Sequence, residues 1–125
     1  MNMSTRPEGD TPPKLEVTRR SQDGVGEIAV AGELDLGTVD QLESAFALLL
    51  AERPSAVLID LTELEFMDST GIKTLLQLER RCDEGEVKFG LTEGSEAVNR
   101  LFSLTQLDRH FQVFGDREAG RAALG

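Results

Sequence analysis

Asp68-Ser69-Thr70-Gly71 is where side-chain types and spacing in this chain offer chemistry. Two hydroxyls follow a carboxylate and precede a glycine, between Phe66-Met67 and the helix-patterned segment Ile72 to Cys82. The unit has two readings. Serine and aspartate at a helix start accept a backbone N–H and cap the helix. A hydroxyl held in a fixed pose beside a carboxylate is also a group that another protein can modify or read. Gly71 favours the second reading: glycine in a first helical turn costs about 1 kcal/mol against alanine, and it clears room for another molecule. Phe66 and Met67 fit either a docking patch or ordinary core.

The rest of the chain offers little for catalysis. There is one histidine, His110, and one cysteine, Cys82. A serine–histidine arrangement with Ser69 has only His110 to draw on, and position 67 is Met where a nucleophile elbow needs glycine. One His and one Cys build no ordinary zinc site, and no glycine-rich loop ends in Lys-Ser or Lys-Thr. The expectation is therefore a protein with no catalytic residue, metal or cofactor of its own. Cys82, on the apolar side of its helix, reads as a small core filler in a reducing compartment. Asp60 follows an apolar run, as the phosphoacceptor of a receiver domain would. The lysines, however, are Lys14, Lys73 and Lys88, and none ends the last strand. Asp60 is expected to be a strand-end or turn residue.

These groups must be positioned by elements that the hydropathy pattern outlines. Met1 to Pro13, punctuated by Pro7, Pro12 and Pro13, reads as a flexible leader. Leu15 and Val17, then Ile28 and Val30, alternate around turn chemistry at Ser21 to Gly24, so two antiparallel strands are expected, the second ending at Gly32. Glu33, Asp35 and Thr38 follow. Thr38 and Gln41 have the spacing of a capping box, and Asp35 is either a solvated turn residue or a group reaching the Ser69 loop or a partner. Leu42, Phe46, Leu49 and Leu50 make a helical face that Pro54 stops. Ala56 to Leu61 is a continuous apolar run, the mark of a buried parallel strand. Ile72, Leu75, Leu76 and Cys82 form the next helical face, and Gly85 breaks it.

Val87, Phe89 and Leu91 alternate as another strand. Ser95 caps a helix carrying Val98, Leu101 and Phe102. Phe111, Val113 and Phe114 form a last short strand, and Asp116 to Leu124 is expected to be a frayed helix with little apolar surface. The order β-β-α-β-α-β-α-β-α predicts one α/β domain with a mixed, largely parallel sheet of about five strands and about four helices.

Composition narrows the function classes. The chain has 125 residues, 39% of them hydrophobic, enough for one core. Net charge is −10, which disfavours nucleic acid and direct binding to an anionic membrane, since both demand clustered Lys and Arg. No run approaches membrane-span length and the N-terminus lacks secretion-signal order, so a cytoplasmic location is expected.

Three stretches together resemble one family. Gly32-Glu33-Leu34-Asp35 with Thr38 is similar to a turn into a first helix. Phe66-Met67-Asp68-Ser69-Thr70-Gly71 is similar to a phosphorylation loop, and Ala97-Val98 with Arg100-Leu101-Phe102 to the helix after the fourth strand. The chain resembles STAS-domain proteins of the anti-sigma factor antagonist (anti-anti-sigma factor) type, from about Leu15 to Phe114. The resemblance implies a STAS domain over residues 14–125 and a bacterial partner-switching regulator of transcription. In such a regulator the unphosphorylated form binds a serine-kinase anti-sigma factor and frees the sigma factor. It further implies that Ser69 is the phosphorylated serine, with Thr70 a possible second acceptor, and that phosphorylation abolishes binding until a serine phosphatase resets it. Asp68, Ser69, Thr70, Gly71, Asp35 and Thr38 would then face the partner. The alternative is a STAS scaffold or accessory subunit of a transporter or stress-signalling complex, in which Ser69 is never phosphorylated.

Overall fold

Asp23 and Gly24 take φ of 55° and 83°, the left-handed pair that a two-residue hairpin turn needs. They fold strand β1 (Leu15–Gln22) back on β2 (Val25–Leu34). In the computed structural model, which describes residues 13–125, this hairpin opens the domain; the expected leader lies, apart from Pro13, outside the described residues. Helix α1 (Val39–Leu50), β3 (Ala56–Met67), α2 (Ser69–Glu84), β4 (Lys88–Thr92), α3 (Glu96–Leu104), β5 (Val113–Phe114) and α4 (Arg117–Leu124) follow. The five strands lie in sequence order, β1 antiparallel to β2 and the rest parallel. The expected mixed sheet and element order are both present.

Alternation sorts the strand residues between two faces. Val57, Ile59 and Leu61 of β3, with Ile28, Val30, Phe89 and Leu91, pack against Leu42, Phe46 and Leu49 of α1, Leu75, Leu78 and Cys82 of α2, and Val98 and Phe102 of α3. The opposite face holds a smaller cluster, Val25, Ala56, Leu58 and Leu124 with Phe114 against it. Helix α4 is therefore docked rather than frayed, contrary to expectation. Gly120 lets it lie close, since a Cβ there would come within 2.8 Å of Leu58 Cδ1. Ser95 caps α3 as expected, accepting the Val98 N–H at 3.2 Å.

Two strands run past their expected ends. Strand β2 continues beyond Gly32 to Leu34, with Gly32 at φ 111° and a bulge between Gly32 and Glu33. Strand β3 continues six residues beyond Leu61 by way of two register shifts against β2. The shifts space its buried residues by three, at Leu61, Leu64 and Met67, which hides the strand from a period-two pattern. Asp60 therefore sits inside a strand, not at its end. Its Oδ1 accepts from the Thr62 N–H at 3.0 Å, the Thr62 hydroxyl at 2.6 Å and the buried Thr92 hydroxyl at 3.1 Å. Thr92 Oγ1 in turn accepts the Leu61 N–H at 2.8 Å. Side chains thus satisfy backbone that the irregular ladder leaves unpaired.

Candidate functional site

Because β2 and β3 are parallel and end in register, Glu33 opposite Phe66 and Leu34 opposite Met67, their following turns lie side by side. The Asp68 N–H donates to the Leu34 carbonyl at 3.3 Å and fastens one turn to the other. Asp68, in extended backbone, is the N-cap of α2: its Oδ1 accepts the Gly71 N–H at 3.0 Å. The cap reading therefore belongs to Asp68. Ser69 is the first helical residue, exposed, with its hydroxyl outside the cap, and Thr70 beside it is half-buried.

Gly71 is buried, and the chain itself uses the room. A Cβ there would lie 2.5 Å from Met67 Cγ and 3.0 Å from the Leu34 carbonyl oxygen. The glycine lets α2 start tight against the ends of β2 and β3, which explains it without an outside molecule.

Asp35 and Thr38 organise the neighbouring turn. The capping box does not form, and Thr38 makes no side-chain cap bond to α1. Buried Thr38 instead turns its hydroxyl inward, donating to the Glu33 carbonyl at 2.9 Å and accepting the Asp35 N–H at 2.9 Å. Asp35 Oδ1 accepts the Gly37 N–H at 3.0 Å. Its Oδ2 lies 2.6 Å from Lys14 Nζ, which is 4.0 Å from Glu33 Oε1. The Lys14 hydrogen bond, more than any other influence, holds the Asp35 carboxyl below its ordinary range. Asp35 in turn raises Lys14, with Glu33 and Asp68 adding to the pull. Asp35 thus bonds to Lys14 and its own turn, not directly to the Ser69 loop.

Lys14 is a site residue that the sequence reading passed over. The hairpin register carries the signal: Leu15 opposes Gly32, so residue 14 must fall beside Glu33, and the Lys14 carbonyl accepts the Glu33 N–H at 2.9 Å. Leu36 is the other omission. It is 76% exposed in the turn after Asp35, and Phe66, 47% exposed, flanks the Ser69 loop. Met67 is core. The rim around Ser69 therefore joins two exposed apolar side chains to Glu33, Asp35 and Asp68.

The other candidate groups stand apart. His110 Nε2 lies 2.6 Å from Glu79, a residue ten positions and about 15 Å along α2 from Ser69. Cys82 is buried, and burial pushes its thiol pKa up to about 12, so it is inert packing. Among the described residues no cluster of His, Cys, Asp and Glu could hold a metal ion, and no helix is long and apolar enough to cross a membrane.

A family model for the STAS domain matches residues 16–120. The anti-sigma-F factor antagonist RsfB of Mycobacterium tuberculosis is 34% identical over 103 residues, 82% of this chain and 84% of that protein. The crystal structure of an anti-sigma factor antagonist from Mycobacterium paratuberculosis superposes with a TM-score of 0.82 at 31% identity, covering 91% of this chain and 97% of that one. A sulfate transporter family protein from Wolinella succinogenes shares the fold at 17% identity and a TM-score of 0.71, over 82% of this chain and 86% of that one. With the family model spanning most of its length and a relative above 30% identity, the chain belongs to the STAS domain family.

Proposed function

We propose that this protein is an anti-sigma factor antagonist that works by partner switching in the cytoplasm. Unphosphorylated, it binds a serine-kinase anti-sigma factor through the Ser69 rim and frees the sigma factor. The kinase then phosphorylates Ser69 and ends the binding, and a serine phosphatase restores it. The observation that carries this reading is the division of labour at the start of α2. Asp68 does the capping, and the Ser69 hydroxyl is left exposed on a rim with Leu36 and Phe66.

The physics of a switch fits that arrangement. Phosphate at the first residue of a helix meets free N–H groups and the positive end of the helix dipole, worth roughly 0.3–1 kcal/mol, so the fold tolerates it. A partner surface shaped for a neutral hydroxyl beside Asp68 does not, because misplaced like charge at an interface costs several kcal/mol. Even ~3 kcal/mol is about a hundredfold in affinity.

The test uses Ser69→Ala and Ser69→Asp as baits in lysate of the native host, read by mass spectrometry. The expected result is a small kinase held by the alanine bait and lost with the aspartate bait. The purified kinase should then phosphorylate the wild type with ATP at Ser69, leaving Ser69→Ala unmodified. Equal retention of one partner by both baits would overturn the switch and favour a STAS scaffold or transporter accessory subunit.

A further inference from the structure

This acidic chain has three lysines; Lys73 lies one turn from Ser69 on α2, and Lys14 feels the charge of Asp68, the residue before Ser69. Lys73 is exposed and follows Ser69 by four residues on α2, so the two share one helix face a turn apart. Lys14 is held at the same end by its backbone bond to Glu33, which pairs with Phe66. Its ammonium is 2.6 Å from Asp35 and feels Asp68, yet more than half of its side chain is exposed and free to turn.

Resting on the reading of Ser69 as a phosphorylated residue, we propose that phosphate on Ser69 is received by Lys73 and draws Lys14 away from Asp35. Phosphorylation would then reach the turn into α1 as well as the surface. Two anions compete for the Lys14 ammonium. Asp35 offers Lys14 one carboxylate charge, whereas phosphoserine presents about −1.5 to −2 and three strong acceptor oxygens. The Asp35 side chain is only 14% exposed, but the ammonium end of the pair is open to water, so a stronger anion can compete for it there. Unmodified, the rim sets Glu33, Asp35 and Asp68 against Lys14 and Lys73. Phosphate deepens the negative excess, and Lys73 and Lys14 supply counter-charge at that end. Released from Lys14, Asp35 keeps the Gly37 N–H, a bond internal to its own turn.

The full chain carrying phosphoserine at position 69, installed during translation, tests this without any kinase. Phosphorus NMR should place the second ionisation of the phosphate lower in the wild-type background than in Lys14→Gln or Lys73→Gln. The double variant should rise furthest toward the free value of about 6. Lys88→Gln, altering the lysine at the opposite end of β3–β4 pairing, should leave it unchanged. Carbon NMR of the Asp35 carboxyl should show its depressed titration moving up on phosphorylation, and no such movement in Lys14→Gln. A phosphate ionisation equal in wild type and double variant, or an Asp35 titration that phosphorylation leaves in place, overturns the proposal. Failure here is separate from failure of the partner switch, because neither readout involves a partner.

Discussion

Strand β2 carries a charged cluster at each end, and the two differ in burial and in the sign of their net charge. Near its start, Glu27 is 3% exposed and meets Arg117 and Arg121, four residues apart on α4. At its far end exposed Glu33 and half-buried Asp35 and Asp68 gather around a largely exposed Lys14. A buried carboxylate without a partner is costly, so Glu27 is tied to α4, and this cluster serves the fold. Carboxylates at the surface carry no such penalty. They persist as an unbalanced field around Ser69, the condition under which one added phosphate changes what a partner meets. Burial commits a charge to the fold, and exposure leaves it available to another molecule.

The sharpest way to break this contrast is to loosen α4. Leu124→Ala removes a buried side chain from the small second cluster and should cost about 2 kcal/mol in urea unfolding. Affinity of the unmodified protein for the proposed kinase partner should stay as it was. Loss of partner binding in this variant would mean that the two ends are coupled.

A smaller effect is expected at the cap. Asp68→Ala should cost about 1 kcal/mol, whereas Asp68→Asn keeps an oxygen for the Gly71 N–H and should cost far less. Equal losses would show that charge, not the hydrogen bond, holds the start of α2.

The smallest effect concerns the Lys14 clasp and its pH dependence. Asp35 has a folded pKa below its ordinary 3.8, so its contribution is complete above that value and is lost as pH falls through the depressed one. Lys14 is raised above 10.5, so its contribution is complete below that value and is lost as pH rises through the raised one. Lys14→Gln should therefore differ from wild type in stability across neutral pH and converge with it in acid and in strong alkali. A difference that stays constant through the acid limb would show that the ion pair adds nothing.

Much of the fold was legible because its signals are local. Alternation at Leu15, Val17, Ile28 and Val30, helical spacing from Leu42 to Leu49, and the Ser95 cap all act between near neighbours in sequence. The end of β3 was not legible, since its two register shifts replace period two with period three and depend on β2 alongside. The docking of α4 was hidden for a related reason. Its eight residues carry little apolar surface, and what holds them is Glu27, Leu58 and Val25, far away in sequence. Gly85 looks in the sequence like the helix breaker. It does cap α2, but the left-handed residue is Glu86, at φ 60°.

At the site the same division holds. The sequence alone marked two of the segments that meet there, because Asp68-Ser69-Thr70-Gly71 and Asp35 with Thr38 stand at strand-to-helix passages that parallel strands bring to one end of a sheet. Only the tertiary structure decided what each does. Asp68 caps and Ser69 does not, Thr38 turns inward to Glu33, Gly71 yields its space to Met67, and Lys14 arrives from the far strand of the hairpin. Each of these outcomes is a choice among several partners within bonding reach, and reach between strands is set by register and bulges rather than by spacing along the chain.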